Sequence, residues 1–176
     1  SGFNTNAKLK TAVLWNGWGG EITNTRHQGD EFGLTKNNVD QLALKWAFAF
    51  PGATRARSQP VVTEEITFIG SQEGNIYALD NSSGCPWWTF SADAEVRGAI
   101  YVATNQQGVP ETLLFGDFAG SAYAVDAQSG KLIWKRPVHD HPQATITGSV
   151  IGYENTLIVP VSSLEVLLAA RVSYPC

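Results

Sequence analysis

Four side chains stand out for the chemistry that their types permit: Arg97, Thr147, Ser162 and Glu165. Thr147 follows Arg97 by 50 residues, and Ser162 and Glu165 follow Thr147 by 15 and 18. A guanidinium donates paired hydrogen bonds to carboxylates, and threonine and serine hydroxyls satisfy carboxylate oxygens at little steric cost. Glu165 suits a hard, oxygen-loving cation, but one carboxylate cannot fill the roughly six to eight positions such an ion can demand. Taken singly these residues are ordinary: Arg97 reads as half of an ion pair, Glu165 as a solvated loop carboxylate. His139-Asp140-His141 sets two imidazoles on one face of a strand, yet no third ligand accompanies them, so the tripeptide reads as a loop between sheets. Cys85, beside Pro86-Trp87, has no neighbouring base and reads as a buried thiol or half of a structural disulfide. Spacing leaves open whether it pairs with Cys176.

The elements that must position these groups are announced by a repeat. Gly74-Asn75-Ile76-Tyr77-Ala78-Leu79-Asp80 returns as Gly120-Ser121-Ala122-Tyr123-Ala124-Val125-Asp126, 46 residues later. At the same interval Gly70 anticipates Gly116, Ser83-Gly84 returns as Ser129-Gly130, and Trp88 returns as Trp134. A period of about 40–50 residues is that of propeller blades. Short β-rich runs alternate with Asp, Asn, Ser and Gly turns, predicting about four strands per unit. The first unit runs from Val61 to Phe90, and the second through Ala99–Val102, Leu113–Phe115, Ala122–Val125 and Leu132–Trp134, with Thr104 to Glu111 as a long surface hairpin. A third begins with strands at Thr145–Ile151 and Thr156–Val161 and then degenerates. Short helices are expected only at Val39–Leu44 and, more weakly, Leu164–Ala170.

The expected organisation is therefore an N-terminal segment with an outer strand (1–45), blades at 46–90 and 91–136, and an incomplete blade at 137–176. That is an all-β chain, a partial β-propeller of about three blades. An open fan exposes apolar faces and unpaired edges, so the remaining blades must come from further sequence, a partner or another copy. A hydrophobic content of 43% excludes disorder, and a net charge of −4 argues against a nucleic-acid surface. No apolar run is long enough for a transmembrane segment. The chain starts at Ser1, and any export signal is expected either to have been removed or to lie outside this sequence.

The unit Gly-x-x-Tyr-Ala-Leu-Asp-x-x-Ser-Gly-x-x-x-Trp resembles the tryptophan-docking repeat of eight-bladed quinoprotein alcohol dehydrogenases, which bind pyrroloquinoline quinone (PQQ). Trp15-Asn16-Gly17-Trp18-Gly19, Asn24-Thr25-Arg26-x-Gln28 and Val96-Arg97 look most like the polyvinyl-alcohol dehydrogenase branch. The resemblance implies an arginine facing the quinone at Arg97, a threonine and a serine touching PQQ at Thr147 and Ser162, and a calcium-ligating glutamate at Glu165. It further implies an alcohol substrate, cytochrome c as electron acceptor and a periplasmic or secreted location. The catalytic base is expected in blades that this chain lacks, so the chain alone should not turn over. Three departures stand out. Ser91 and Ala92 occupy positions where the family often has vicinal cysteines, and Tyr174-Pro175-Cys176 could begin a relocated pair. Arg57 stands near where many relatives place a PQQ-contacting glutamate. The alternative is a non-catalytic scaffold that keeps the repeat only as architecture, as outer-membrane assembly lipoproteins do.

Overall fold

The computed structural model describes residue 9 and residues 12–20, 23–29 and 33–173. Thirteen strands appear among them: β1 (Val13–Trp15), β2 (Val61–Thr63), β3 (Ile66–Gly70), β4 (Asn75–Asp80), β5 (Pro86–Ser91), β6 (Tyr101–Thr104), β7 (Pro110–Gly116), β8 (Ser121–Asp126), β9 (Leu132–Pro137), β10 (Ala144–Thr145), β11 (Ile151–Tyr153), β12 (Thr156–Ile158) and β13 (Ser162–Ser163). They form one five-stranded sheet in the order β1-β2-β3-β4-β5, a four-stranded sheet β6-β7-β8-β9, and two-stranded pairs β11-β12 and β10-β13. Every pairing is antiparallel. This is the partial propeller that the repeat predicted.

Equivalent residues make equivalent ladders. Phe68 faces Ala78 across β3–β4, and Leu114 faces Ala124 across β7–β8. The hairpin after Thr104 is present, closed by Asn105, whose carboxamide oxygen accepts the Gln107 and Val109 N–H groups. Between the two large sheets Phe68, Ile76, Ile100, Leu113, Phe115 and Tyr123 are all but inaccessible to water. Each such side chain contributes on the order of 1.5–3 kcal/mol by burial. Phe115 stacks on Tyr123 with ring centroids 5.1 Å apart, and Phe90 meets both rings edge-on.

A tryptophan of one unit fills the gap to the next. The Trp46 indole donates to the Asn81 carbonyl (3.0 Å) and lies over Gly84; the Trp88 indole donates to the Ala127 carbonyl (3.1 Å) and lies over Gly130. Both glycines have positive φ, and a Cβ there would come within 2.7 and 2.6 Å of the indole. Only glycine meets both demands.

Three expectations need correction. The third unit does not open with one strand over Thr145–Ile151. Thr145 pairs with Ser162, and the strand equivalent to β2 and β6 begins only at Ile151. The intervening residues instead pass against the second sheet, where Ile146 lies against Gly116 and Gly148 against Gly98. The expected helices shrink to 3-10 turns at Val39–Gln41 and Glu165–Leu167. Neither turn gains a side-chain cap: Asn38 spends its carboxamide oxygen on the N–H and hydroxyl of Thr35, and Leu164, at the head of the second turn, has no polar side chain. Cys85 is exposed rather than buried, while Tyr174-Pro175-Cys176 lie outside the described residues.

The N-terminal segment crosses between sheets. β1 pairs with β2, and the Asn16 carboxamide then accepts from the Val102 N–H and donates to the Val102 carbonyl, both at 2.9 Å. One side chain thereby satisfies an edge-strand backbone pair as another strand would. A cavity of about 390 Å³ lies beside this bridge, lined among others by Trp18, Tyr101 and Ile151.

Candidate cofactor site

Arg97 and Thr147 occupy the same place in successive units. Each stands four residues ahead of the first strand of its meander, β6 at Tyr101 and β11 at Ile151. Each is followed by a glycine, and these glycines let two backbones touch: a Cβ on Gly98 would sit 2.4 Å from the Gly148 carbonyl oxygen. The Ser149 hydroxyl accepts the Ala99 N–H just beyond (2.9 Å). The two sheets are thus pinned together where Arg97 and Thr147 emerge.

Arg97 is held from two sides. Its Nε donates to Glu95 Oε2 at 2.9 Å, and its guanidinium carbon lies 4.0 Å from the Phe118 ring centroid. Stacking on an aromatic face leaves the guanidinium edge for hydrogen bonding. Phe118 is itself fixed, since its N–H donates to the Glu95 carbonyl (2.8 Å) and its carbonyl accepts the Thr145 hydroxyl (2.7 Å). Ser162 lies directly opposite Thr145 in the β10–β13 ladder. Arg97, Thr147 and Ser162 therefore border one neighbourhood, built from the loops ahead of β6, β8 and β11 and from β13.

Glu165 begins the 3-10 turn that follows β13. The Ser163 hydroxyl donates to its Oε2 at 2.6 Å, and His141 Nε2 stands 3.4 Å from its Oε1. His141 Nδ1 accepts the Gln143 N–H (3.2 Å), which leaves the ring proton of the neutral tautomer on Nε2, toward the carboxylate. Beneath the Phe118 loop, buried Asp117 accepts the Tyr123 phenol (2.8 Å) and the Ser121 N–H (2.9 Å). Burial foremost, with Asp117 beside it, holds that phenol well above its usual pKa. It serves as a fixed donor.

The donor set suits a planar polyanion. Thr147 and Ser162 are exposed, and their hydroxyls make no hydrogen bond among the described residues. The Gly98–Gly148 approach keeps side-chain bulk away between Arg97 and Thr147. A metal is another matter, because no group of three or more His, Cys, Asp or Glu residues able to hold an ion occurs among the described residues. Glu165 can supply one ligand and no more. Sequence reasoning missed Glu95, Phe118 and Ser163, which hold the named residues, and read His141, which stands beside Glu165, only as part of a loop. Glu95, two residues before Arg97 on an extended chain, was the one with a local signal. Asn24 and Arg26 turn with positive φ, the Arg26 N–H donating to the Gly19 carbonyl (3.1 Å). The Asn16 carboxamide ties the first strand to the second sheet.

Residues 38–170 match the protein family described as "Outer membrane protein assembly factor BamB". A polyvinylalcohol dehydrogenase of a Pseudomonas species is 38% identical over 170 residues, which cover 96% of this chain and 26% of that protein. The chain thus spans about a quarter of the length of such relatives. The crystal structure of quinohemoprotein alcohol dehydrogenase from Comamonas testosteroni superposes with a TM-score of 0.71 at 23% identity, covering 86% of this chain and 23% of that one. BamB from Moraxella catarrhalis superposes with a TM-score of 0.53 at 19% identity, covering 66% and 33%. These two structural likenesses establish the propeller fold.

Proposed function

This chain belongs to the PQQ-type propeller family that includes the quinoprotein alcohol dehydrogenases, and on that footing we propose that it forms the part of a PQQ-dependent alcohol dehydrogenase that carries one side of the cofactor site. When bound, PQQ would supply the two-electron acceptor for alcohol oxidation. Arg97 would donate from its guanidinium edge to an anionic oxygen of the bound cofactor. Thr147 and Ser162 donate their hydroxyls to carboxylate oxygens. Glu165 contributes a single oxygen ligand to a calcium ion completed by residues beyond this chain. Polyvinyl alcohol or a smaller alcohol as substrate, cytochrome c as electron acceptor and a periplasmic or secreted location belong to the same reading.

The observation that carries it is the matched placement of Arg97 and Thr147 beside the Gly98–Gly148 contact, with the Thr147 and Ser162 hydroxyls unclaimed among the described residues. The test is titration of the purified protein with PQQ in the presence of calcium, followed by quinone absorbance and quenching of tryptophan fluorescence. Saturable binding is expected, weakened about tenfold or more by Arg97→Ala, since hydrogen bonds to charged groups contribute about 1.5–3 kcal/mol. In a complete, folded assembly of blades, absence of any cofactor-dependent change would instead favour a scaffold that uses the repeat as architecture.

A further inference from the structure

The second residue of β2, β6 and β11 is Val62, Val102 and Gly152 in turn, and each sends its backbone N–H and carbonyl to the free edge of its sheet. Thr63 and Ile66 flank the turn Glu64-Glu65 as Tyr153 and Thr156 flank Glu154-Asn155. Residues that flank a two-residue turn bond each other, so the residue before them, Val62 or Gly152, points its pair away from its hairpin. Val102 does the same in β6, where both groups meet the Asn16 carboxamide.

The three edges end differently. Val62 is covered by β1, with Trp15 as its ladder partner. Val102 is covered by a single carboxamide. Gly152 receives no hydrogen bond from outside its own hairpin among the described residues. It lines the cavity of about 390 Å³ instead, together with Tyr101, Ile151 and the loop that carries Trp18. That loop is tied to itself, since the Asn16 N–H donates to the Gly20 carbonyl (3.0 Å) and the Trp15 indole to the Gly17 carbonyl (3.1 Å). A closed loop over the edge makes an enclosed space of the size that small molecules occupy. Its walls are flat and apolar: the Trp18 side is 48% exposed, and the Tyr101 ring lies so close over Gly152 that a Cβ there would come within 2.5 Å of it.

We propose that this cavity binds a small neutral molecule that carries a primary carboxamide on a flat apolar body. The carboxamide oxygen accepts the Gly152 N–H and its nitrogen donates to the Gly152 carbonyl, as Asn16 does at Val102. The body packs against Trp18 and Tyr101. The inference stands apart from the cofactor reading, because none of these residues belongs to that site. Benzamide has both features and serves as the probe, titrated into isotope-labelled protein and followed by the backbone amide resonances. The Gly152 resonance should shift saturably. N,N-Dimethylbenzamide, which has no donor, and benzoate, which has none and brings a charge, should bind about tenfold more weakly or worse. Trp18→Ala should weaken benzamide about tenfold and leave the thermal midpoint in place, as expected for a half-exposed ring. If that variant melts early, the series of probes on the unaltered protein decides alone. Equal binding of the three probes, or the lack of a saturable shift at Gly152, overturns the assignment.

Discussion

Single carboxylates of the repeat carry measurable electrostatics. Asp80 Oδ1 accepts the backbone N–H groups of Ser82 (2.9 Å) and Ser83 (2.8 Å) together with both serine hydroxyls, and Oδ2 accepts the Trp87 indole N–H (3.3 Å). The Ser82 hydroxyl foremost, opposed by partial burial and seconded by Ser83, lowers its pKa from 3.8 to about 2. A folded-state value below the unfolded one means that this stability is present above about pH 4. It is lost as pH falls through about 2. Urea midpoints should therefore drop for the unaltered protein between pH 5 and pH 2.5. Asp80→Asn should be less stable at pH 5 and flatter over that range, and an unchanged acid limb would remove Asp80 as its source. This much was legible in the sequence, because Asp-x-Ser-Ser-Gly is a local turn whose acceptor and donors are neighbours along the chain. Phe118 beside Arg97 was less so, since the stacking partner arrives from a different hairpin.

At the scale of strands and turns, the join between sheets rests on an indole seated on a glycine. Gly130→Ala would place a methyl within 2.6 Å of the Trp88 ring in a backbone of φ +69°. It should cost about 1–3 kcal/mol. Gly108 offers the control, for it also has positive φ (+77°) but opens onto space with nothing within 4 Å. Gly108→Ala should lose only the backbone component, and comparing the two denaturation midpoints isolates the docking. Equal losses would show that the indole contact contributes nothing. The repeat made these glycines visible but did not place the third unit's first strand. Ile146 to Gly148 carry the β-branched and small residues of a strand, yet they are spent crossing from one sheet to the next, as Val96 to Gly98 are in the unit before.

Across the whole molecule the docking pattern is directional. Trp46 seats on the first repeat and Trp88 on the second, each donating to a carbonyl of the sheet that follows. Trp134 holds the same place in the second repeat, yet its indole makes no hydrogen bond among the described residues. Around it Leu132 and Ile133 are 51% and 54% exposed, and on the β11–β12 pair Tyr153 and Ile158 are 60% and 53% exposed. Trp88, partly buried against the core, should lose up to about 3 kcal/mol on truncation to Ala, the low end for a large aromatic. Trp134→Ala should cost well under half of that in this chain, as read from urea unfolding followed by circular dichroism. Equal costs would mean that the second sheet already has a cover.

The sequence by itself determined the period, the turns, the pairing of strands within the two repeated sheets and the docking tryptophans. These depend on residues close along the chain, where backbone hydrogen bonding and turn geometry leave few choices. Tertiary structure alone decided which groups meet across sheets: Ser58 with Gly98, Gly98 with Gly148, Arg97 with Phe118, His141 with Glu165. Such meetings follow from how the sheets pack on one another, and packing between elements distant in sequence leaves no period for a reader of residues to follow.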